Sequence, residues 1–106
     1  MEQLKDILII EDDIGERWRS QRWLEGYANV FFAWNLKTAK EMLKSWVWDI
    51  IAFDLFLAYE EEDDIPKDTI DLIMETKKSW FKGTMIAASN EEQYRDEQIS
   101  AGCTLK

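Results

Sequence analysis

The chain alternates short apolar runs with segments whose apolar residues recur every three to four positions. The apolar runs occupy residues 4–10, 29–34, 49–57 and 84–88. Short runs that are apolar at nearly every position are typical of strands buried on both faces of a parallel sheet. The pattern therefore predicts four strands, and residues 103–106 are interpreted as the beginning of a fifth.

The segments between these runs are predicted to be helices, with characteristic residues at their ends. Asp13 and Asn35 stand where N-caps are expected, and Gly26 follows the first of these segments. Ser89 precedes the last one, with Glu92 three residues later as in a capping box. The predicted helices span residues 14–25, 36–45, 69–79 and 91–100.

Strands and helices that alternate in this way predict an α/β fold, with a doubly wound parallel sheet of five strands and helices on both faces. Residues 58–68 hold six acids and the only proline, so they are predicted to form a loop between the third strand and the third helix. No linker or repeat interrupts the pattern, and residues 1–106 are expected to form a single domain.

The amino-acid composition excludes several classes of function. The chain has 22 acidic and 13 basic residues, a formal net charge of -9, which argues against nucleic acid as a partner because that binding needs a basic surface. The absence of His and the single Cys103 exclude histidine-based catalysis, histidine metal ligands and an internal disulfide. No apolar run approaches the roughly 20 residues that span a membrane, and the first residues are unlike a signal peptide. We therefore expect a cytoplasmic protein without a membrane partner.

Acidic residues follow or end two of the predicted strands. Glu11, Asp12 and Asp13 come directly after the first strand, and Asp54 lies near the C-terminal end of the third. Open α/β sheets bind their ligands at the carboxyl ends of the strands, so these carboxylates are expected to converge there. Converging carboxylates suit a hard cation such as Mg²⁺. Two alternatives stay open at this point: a solvated strand end with an N-cap, and an aspartate that merely ends a strand.

Three pieces of the chain resemble the receiver domain of two-component response regulators. These pieces are residues 7–13, 32–43 and 48–57. The resemblance implies a flavodoxin-like fold in which Glu11 and Asp12, together with Asp54, hold Mg²⁺, with Asp13 as a substitute in register. It also implies that Asp54 accepts a phosphoryl group from a histidine kinase or a small phosphodonor.

The same resemblance implies two further residues around the phosphoryl group. Ser89, after the fourth strand, matches the switch hydroxyl that hydrogen-bonds a phosphoryl oxygen. Lys106 matches the basic residue at the end of the fifth strand. Taken by itself, Ser89 is more typical of a helix cap, and the two roles can coexist.

The chain also departs from the receiver pattern. Residues 59–68 replace the short turn that follows the acceptor strand, and the final helix is absent. Without that helix, apolar strand residues would be exposed, and exposed apolar patches mark interfaces. Most of the six tryptophans are expected in the core. Trp18 and Trp23, on the first helix, are expected to cover the opening or to dock a protein partner or a second copy in a homodimer.

Residues 12–17 and 88–90 also resemble a receiver-like branch predicted to process cyclic phosphates, although Leu55 replaces the His of that branch. The favoured interpretation is therefore not an enzyme but a stand-alone receiver-like signalling domain of a phosphorelay. It would bind Mg²⁺ and accept a phosphoryl group on Asp54, which switches binding to a downstream protein. The alternative is a phosphorylation-independent interaction protein, an adaptor or inhibitor with the same fold.

Overall fold

The computed structural model describes residues 4–54, 56–57, 67–79, 81–89 and 91–105, without the side chains of residues 14, 56, 57 and 67. The strands are β1 (Lys5–Ile10), β2 (Ala28–Ala33), β3 (Ile50–Phe53), β4 (Phe56–Leu57), β5 (Lys67–Asp68) and β6 (Thr84–Ala87). The helices are α1 (Ile14–Leu24), α2 (Leu36–Ser45), α3 (Ile70–Lys78) and α4 (Glu92–Ala101).

Four of these strands form one parallel sheet in the order β2-β1-β3-β6. At its C-terminal edge Ile10 lies opposite Ala33 on one side and Phe53 on the other, and Phe53 lies opposite Ala87. The strands therefore end in register. The residues that follow them share one edge of the sheet.

The core lies mainly on one face of the sheet. Alternate strand residues on that face, including Leu8, Ile10, Ile51 and Phe53, are fully buried at 0% exposure. They form one hydrophobic cluster with buried residues of α2 and α3, and Ile99 and Ala101 of α4 pack against it. On the opposite face the strand residues are less completely covered: Ile50, Ala52 and Ile86 are half-buried.

The predicted fifth strand is not formed by the residues that the structure describes, and that part of the fold prediction was wrong. In the described part of the chain, Leu105 makes a single parallel bridge to Ile86 at the outer side of β6. The Ala87 amide donates to the Leu105 carbonyl at 2.6 Å, and the Thr104 amide donates to the Met85 carbonyl at 2.9 Å. Within the described residues, the sheet thus has four strands with a bridge beside the last one.

The central apolar run is also divided differently from the prediction. The sheet strand β3 ends at Phe53, so Asp54 follows the strand and does not lie inside it. Phe56–Leu57 instead pair antiparallel with Lys67–Asp68, as a separate two-stranded unit. Most of the predicted acidic loop lies outside the described residues, and its last two residues are strand β5.

The helix ends show which of the capping residues predicted from the sequence cap a helix in the structure. The predicted caps are confirmed: Asp13 accepts from the Glu16 amide at 3.0 Å, and Asn35 accepts from the Thr38 amide at 2.8 Å. Gly26 has a φ of 83°, the left-handed conformation that glycine favours after a helix. The capping box at Ser89 was wrong. Helix α4 has Glu91 as its N-cap, with no side-chain capping bond.

The tryptophans were largely misplaced by the sequence prediction. Among those that the structure describes, Trp48 is buried at 6% exposure, packs edge-on against Phe31 and donates to the Met42 carbonyl. Trp34 and Trp46 are exposed, as are the two tryptophans of α1. A four-stranded sheet with helices of 9 to 11 residues has too little interior for so many large rings.

Candidate functional site

Three carboxylates converge at the C-terminal edge of the sheet. They belong to Glu11, Asp12 and Asp54, and one oxygen of each lies within 4.8 Å of the others. Glu11 and Asp54 are half-buried, whereas Asp12 is exposed. We call this group the carboxylate cluster. The structure thus brings together the three residues that the sequence proposed as metal ligands.

The backbone explains why these side chains meet. Glu11 directly follows β1, and its amide donates to the Ala33 carbonyl at 2.9 Å. Asp54 directly follows β3, and its amide donates to the Ile10 carbonyl at 3.0 Å. The two residues therefore extend adjacent strands by one hydrogen bond each, which places their side chains at the same edge.

Asp13 does not belong to the cluster. Its carboxylate caps α1, and its amide donates to a carboxylate oxygen of Glu11 at 3.0 Å. An N-cap carboxylate is held by the helix amides and by the positive end of the helix dipole. Asp13 therefore caps α1 with its carboxylate and binds Glu11 with its amide. Its position does not support the predicted role as a substitute metal ligand.

The electrostatics of the cluster disfavour three separate negative charges. The pKa of Glu11 is raised from 4.5 to about 8, first because burial removes water from its carboxylate. The Asp13 amide opposes this shift, while the charge of Asp54 and hydrogen bonding with Asp12 and Asp54 add to it. A hard divalent cation takes oxygen ligands and would offset both the burial and the repulsion of these carboxylates. The residues present therefore fit the Mg²⁺ that the resemblance implied.

Ser89 lies at the same sheet edge, two residues after β6, and is 6% exposed. Its hydroxyl accepts from the Glu91 amide at 3.4 Å, and its carbonyl accepts from the Arg95 guanidinium at 2.8 Å. The preceding Ala88 amide donates to the Phe53 carbonyl at 2.9 Å, which ties this segment to the end of β3. Ser89 thus lies next to the end of the strand that leads into Asp54, and its assignment as the switch residue stays a prediction.

Of the remaining predicted site residues, the structure describes Trp18 and Trp23 but not Lys106. Lys106 lies outside the described residues, so its assignment stays a prediction. Trp18 and Trp23 lie on α1 and are 66% and 79% exposed, so they do not fold over the sheet. Their exposure agrees with a role in partner binding, which stays a prediction.

Two buried polar side chains next to Asp54 were missed by sequence reasoning. Thr69 donates from its hydroxyl to the Asp54 carbonyl at 2.6 Å, and Gln98 donates from its amide nitrogen to the Phe53 carbonyl at 2.7 Å. Both side chains are 0% exposed. No local motif marks either residue, because their partners are 15 and 45 positions away along the chain.

A cavity of about 630 Å³ lies far from this chemistry. It is lined by Lys5, Ile50 and Thr84, the first residues of β1, β3 and β6, and therefore lies at the opposite edge of the sheet.

No helix in the described part of the chain is long and apolar enough to cross a membrane.

Comparison with known proteins identifies the fold. No protein-family model matches the sequence, and no curated protein is a significant match. The structure is similar to a two-component response regulator from Clostridium difficile, with a TM-score of 0.77 and 19% identity over 95% of this chain and 79% of that one. It is also similar to the Francisella response regulator 1452 receiver domain, with a TM-score of 0.74 and 18% identity over 96% and 84% of the two chains.

A third similar structure is a response regulator from Burkholderia pseudomallei that holds a phosphorylated aspartic acid, a calcium ion and citrate. The TM-score is 0.76, with 20% identity over 95% of this chain and 57% of that one. At such identities the likeness establishes the fold. The chain has the fold of a receiver domain, as the resemblance in its sequence predicted.

Proposed function

We propose that this protein is a phosphoacceptor receiver: it binds Mg²⁺ at the carboxylate cluster and accepts a phosphoryl group on Asp54. The observation that carries the proposal is the convergence of Glu11, Asp12 and Asp54 within 4.8 Å at the C-terminal sheet edge. A similar structure holds a phosphorylated aspartic acid and a calcium ion, which supports the same pairing of groups here.

The proposed reaction transfers a phosphoryl group from an oxygen or nitrogen atom of the donor to a carboxylate oxygen of Asp54. A carboxylate oxygen of Asp54 attacks the phosphorus of the donor and forms the new P–O bond of an acyl phosphate. The bond from phosphorus to the donor breaks, and its electron pair leaves with acetate or with the imidazole of a histidine kinase. A bound Mg²⁺ would neutralise charge on the phosphoryl oxygens.

The other residues of the edge have roles that follow from their positions. Glu11 and Asp12 would supply ligands for the cation, and the Ser89 hydroxyl would donate a hydrogen bond to the transferred group. The 3.4 Å contact that the hydroxyl now accepts from the Glu91 amide uses its oxygen, so the hydroxyl hydrogen can make that bond. Movement of Ser89 would then change the surface near α4 that a downstream protein recognises. Histidine kinase, target protein and homodimer are partners within this proposal.

The test uses acetyl phosphate, Mg²⁺ and intact-mass measurement. Wild type is expected to gain the mass of one phosphoryl group, and Asp54→Asn is expected to gain none. Asp71→Asn is the matched control, because Asp71 is an exposed acid on α3 outside the cluster. Replacement of Mg²⁺ by EDTA should abolish the gain.

A folded wild type that gains no mass with Mg²⁺ and donor would overturn the proposal. That result would favour the phosphorylation-independent interaction protein. A gain that persists in Asp54→Asn would place the modification elsewhere on the chain and overturn the role of Asp54.

A further inference from the structure

Helix α4 holds the two strand ends that carry Asp54 and Ser89. Gln98 donates to the Phe53 carbonyl at 2.7 Å, and Arg95 donates to the Ser89 carbonyl at 2.8 Å. The two side chains are three positions apart and so lie on the same face of the helix. One helix therefore contacts the backbone at the ends of both paired strands, β3 and β6.

The peptide held by Gln98 is the one that leads into Asp54. Its carbonyl, on Phe53, also accepts from the Ala88 amide at 2.9 Å. Its amide, on Asp54, donates to the Ile10 carbonyl at 3.0 Å, immediately before Glu11. The orientation of this single peptide plane therefore sets where the Asp54 side chain points relative to the carboxylate cluster.

Stability alone does not explain a glutamine at this position. The Phe53 carbonyl already has the Ala88 amide as a donor, so it would stay satisfied without Gln98. A carbonyl oxygen only accepts, so Gln98 must present its amide nitrogen, and its own oxygen points away. That oxygen is buried and has no hydrogen-bond partner in the structure described here. A buried unpaired amide oxygen is unfavourable, and an apolar side chain of the same length would avoid it.

We propose that Gln98 and Arg95 are positioning residues that fix Asp54 and Ser89 relative to each other for cation binding and phosphoryl transfer. This inference rests on the proposed function. Gln98 adds a second donor to the Phe53 carbonyl and so restricts rotation of the peptide before Asp54. Arg95 restrains the backbone of Ser89 from the same helix. Neither residue touches the reacting atoms.

The test compares wild type with Gln98→Met, a variant of similar length without the amide. Gln93→Met is the matched control, since it makes the same change at an exposed position of α4. Three quantities are measured: the melting temperature in EDTA, the Mg²⁺ affinity by calorimetry, and the rate of phosphorylation by acetyl phosphate. Gln98→Met is expected to melt at or above the wild-type temperature, because it removes the unpaired oxygen. It should be phosphorylated about tenfold more slowly and bind Mg²⁺ more weakly, because Asp54 is less well oriented.

The outcomes separate this inference from the proposed function. If wild type is phosphorylated and Gln98→Met matches it in rate and Mg²⁺ affinity, the positioning role is overturned and the proposed function stands. If wild type takes no phosphoryl group, the proposed function fails, and the positioning role is then tested by the Mg²⁺ affinity alone. Equal Mg²⁺ affinities in wild type and Gln98→Met would overturn the positioning role. A wild type that binds no Mg²⁺ either overturns both.

A second variant covers the case in which Gln98→Met does not fold. Arg95→Met removes the donor to the Ser89 carbonyl and keeps an aliphatic stem on the half-buried face of α4. It is expected to slow phosphorylation in the same direction while the protein stays folded. An unchanged rate and an unchanged Mg²⁺ affinity in a folded Arg95→Met would overturn the role of α4.

Discussion

The hydroxyl of Thr69 donates a 2.6 Å hydrogen bond to the backbone carbonyl of Asp54. Thr69 stands at the N-cap position of α3 but makes no side-chain capping bond there. Its hydroxyl instead joins the start of α3 to the residue proposed to accept the phosphoryl group. The site is thus held from two helices, by Thr69 before α3 and by Gln98 of α4.

Thr69→Val is expected to lower the free energy of unfolding by about 1–3 kcal/mol, because it removes this donor from the carbonyl of the half-buried Asp54. Valine has nearly the same shape, so the loss isolates the hydroxyl. Urea unfolding measures the change. Thr69→Ser retains the hydroxyl and should lose roughly 1 kcal/mol for the missing methyl group. A Thr69→Val variant that is as stable as wild type would show that the hydrogen bond contributes nothing.

Asp54→Asn is expected to stabilise the protein in EDTA. The variant removes one charge from three carboxylates whose oxygens lie within 4.8 Å. Relief of this repulsion should raise the free energy of unfolding by roughly 1 kcal/mol. In addition, Mg²⁺ should raise the melting temperature of wild type and have much less effect on Asp54→Asn, because binding to the folded state stabilises it. A wild-type melting temperature that Mg²⁺ leaves unchanged would contradict the metal assignment.

Asn35→Ala is expected to destabilise the fold by about 1 kcal/mol, the usual cost of losing a helix N-cap. The Asn35 side chain is 7% exposed and accepts from the Thr38 amide at 2.8 Å. Asn29→Ala is the control, because Asn29 is exposed on β2 and donates only to the Asp6 side chain. Thermal unfolding of both variants should show the larger loss in Asn35→Ala.

The Cys103 thiol is expected to react slowly with a disulfide reagent at pH 8 in the folded protein and rapidly in urea. Burial raises its pKa from 9.0 to about 12 and leaves the residue 3% exposed. The folded state thus disfavours the thiolate, so this group lowers stability only as the pH rises above about 9, where the unfolded chain ionises first. Cys103 is the only cysteine, so the reaction reports on one site. Equal rates in both states would show that the thiol is accessible.

The parallel strands and the acids that meet at the sheet edge could be predicted from local patterns. The run of β1 and the central run are apolar at nearly every position, which suffices to assign buried parallel strands. Parallel strands end at a common edge, so acids after β1 and β3 had to lie near each other. Asp13 and Asn35 were predictable as caps because their partners lie three residues away.

The misassignments share a physical cause. Periodicity does not show where a strand leaves its sheet, so the central run was read as one strand although it ends at Phe53. The same limit applies to the fifth strand, where pairing with β6 stops after the Leu105 bridge. Tryptophan content does not show how much interior a small sheet offers, so the expectation that most tryptophans lie in the core was wrong for those that the structure describes.

By itself, the sequence determined the alternation of strands and helices and the presence of three acids at one sheet edge. Both follow from hydrophobic periodicity and chain direction, which are local properties. The tertiary structure alone decided that Thr69 donates to the Asp54 carbonyl and that Gln98 donates to the Phe53 carbonyl. It also decided that Asp13 caps α1, outside the carboxylate cluster. The first of these depends on contacts over 15 and 45 positions, and such contacts are set only when the helices pack on the sheet.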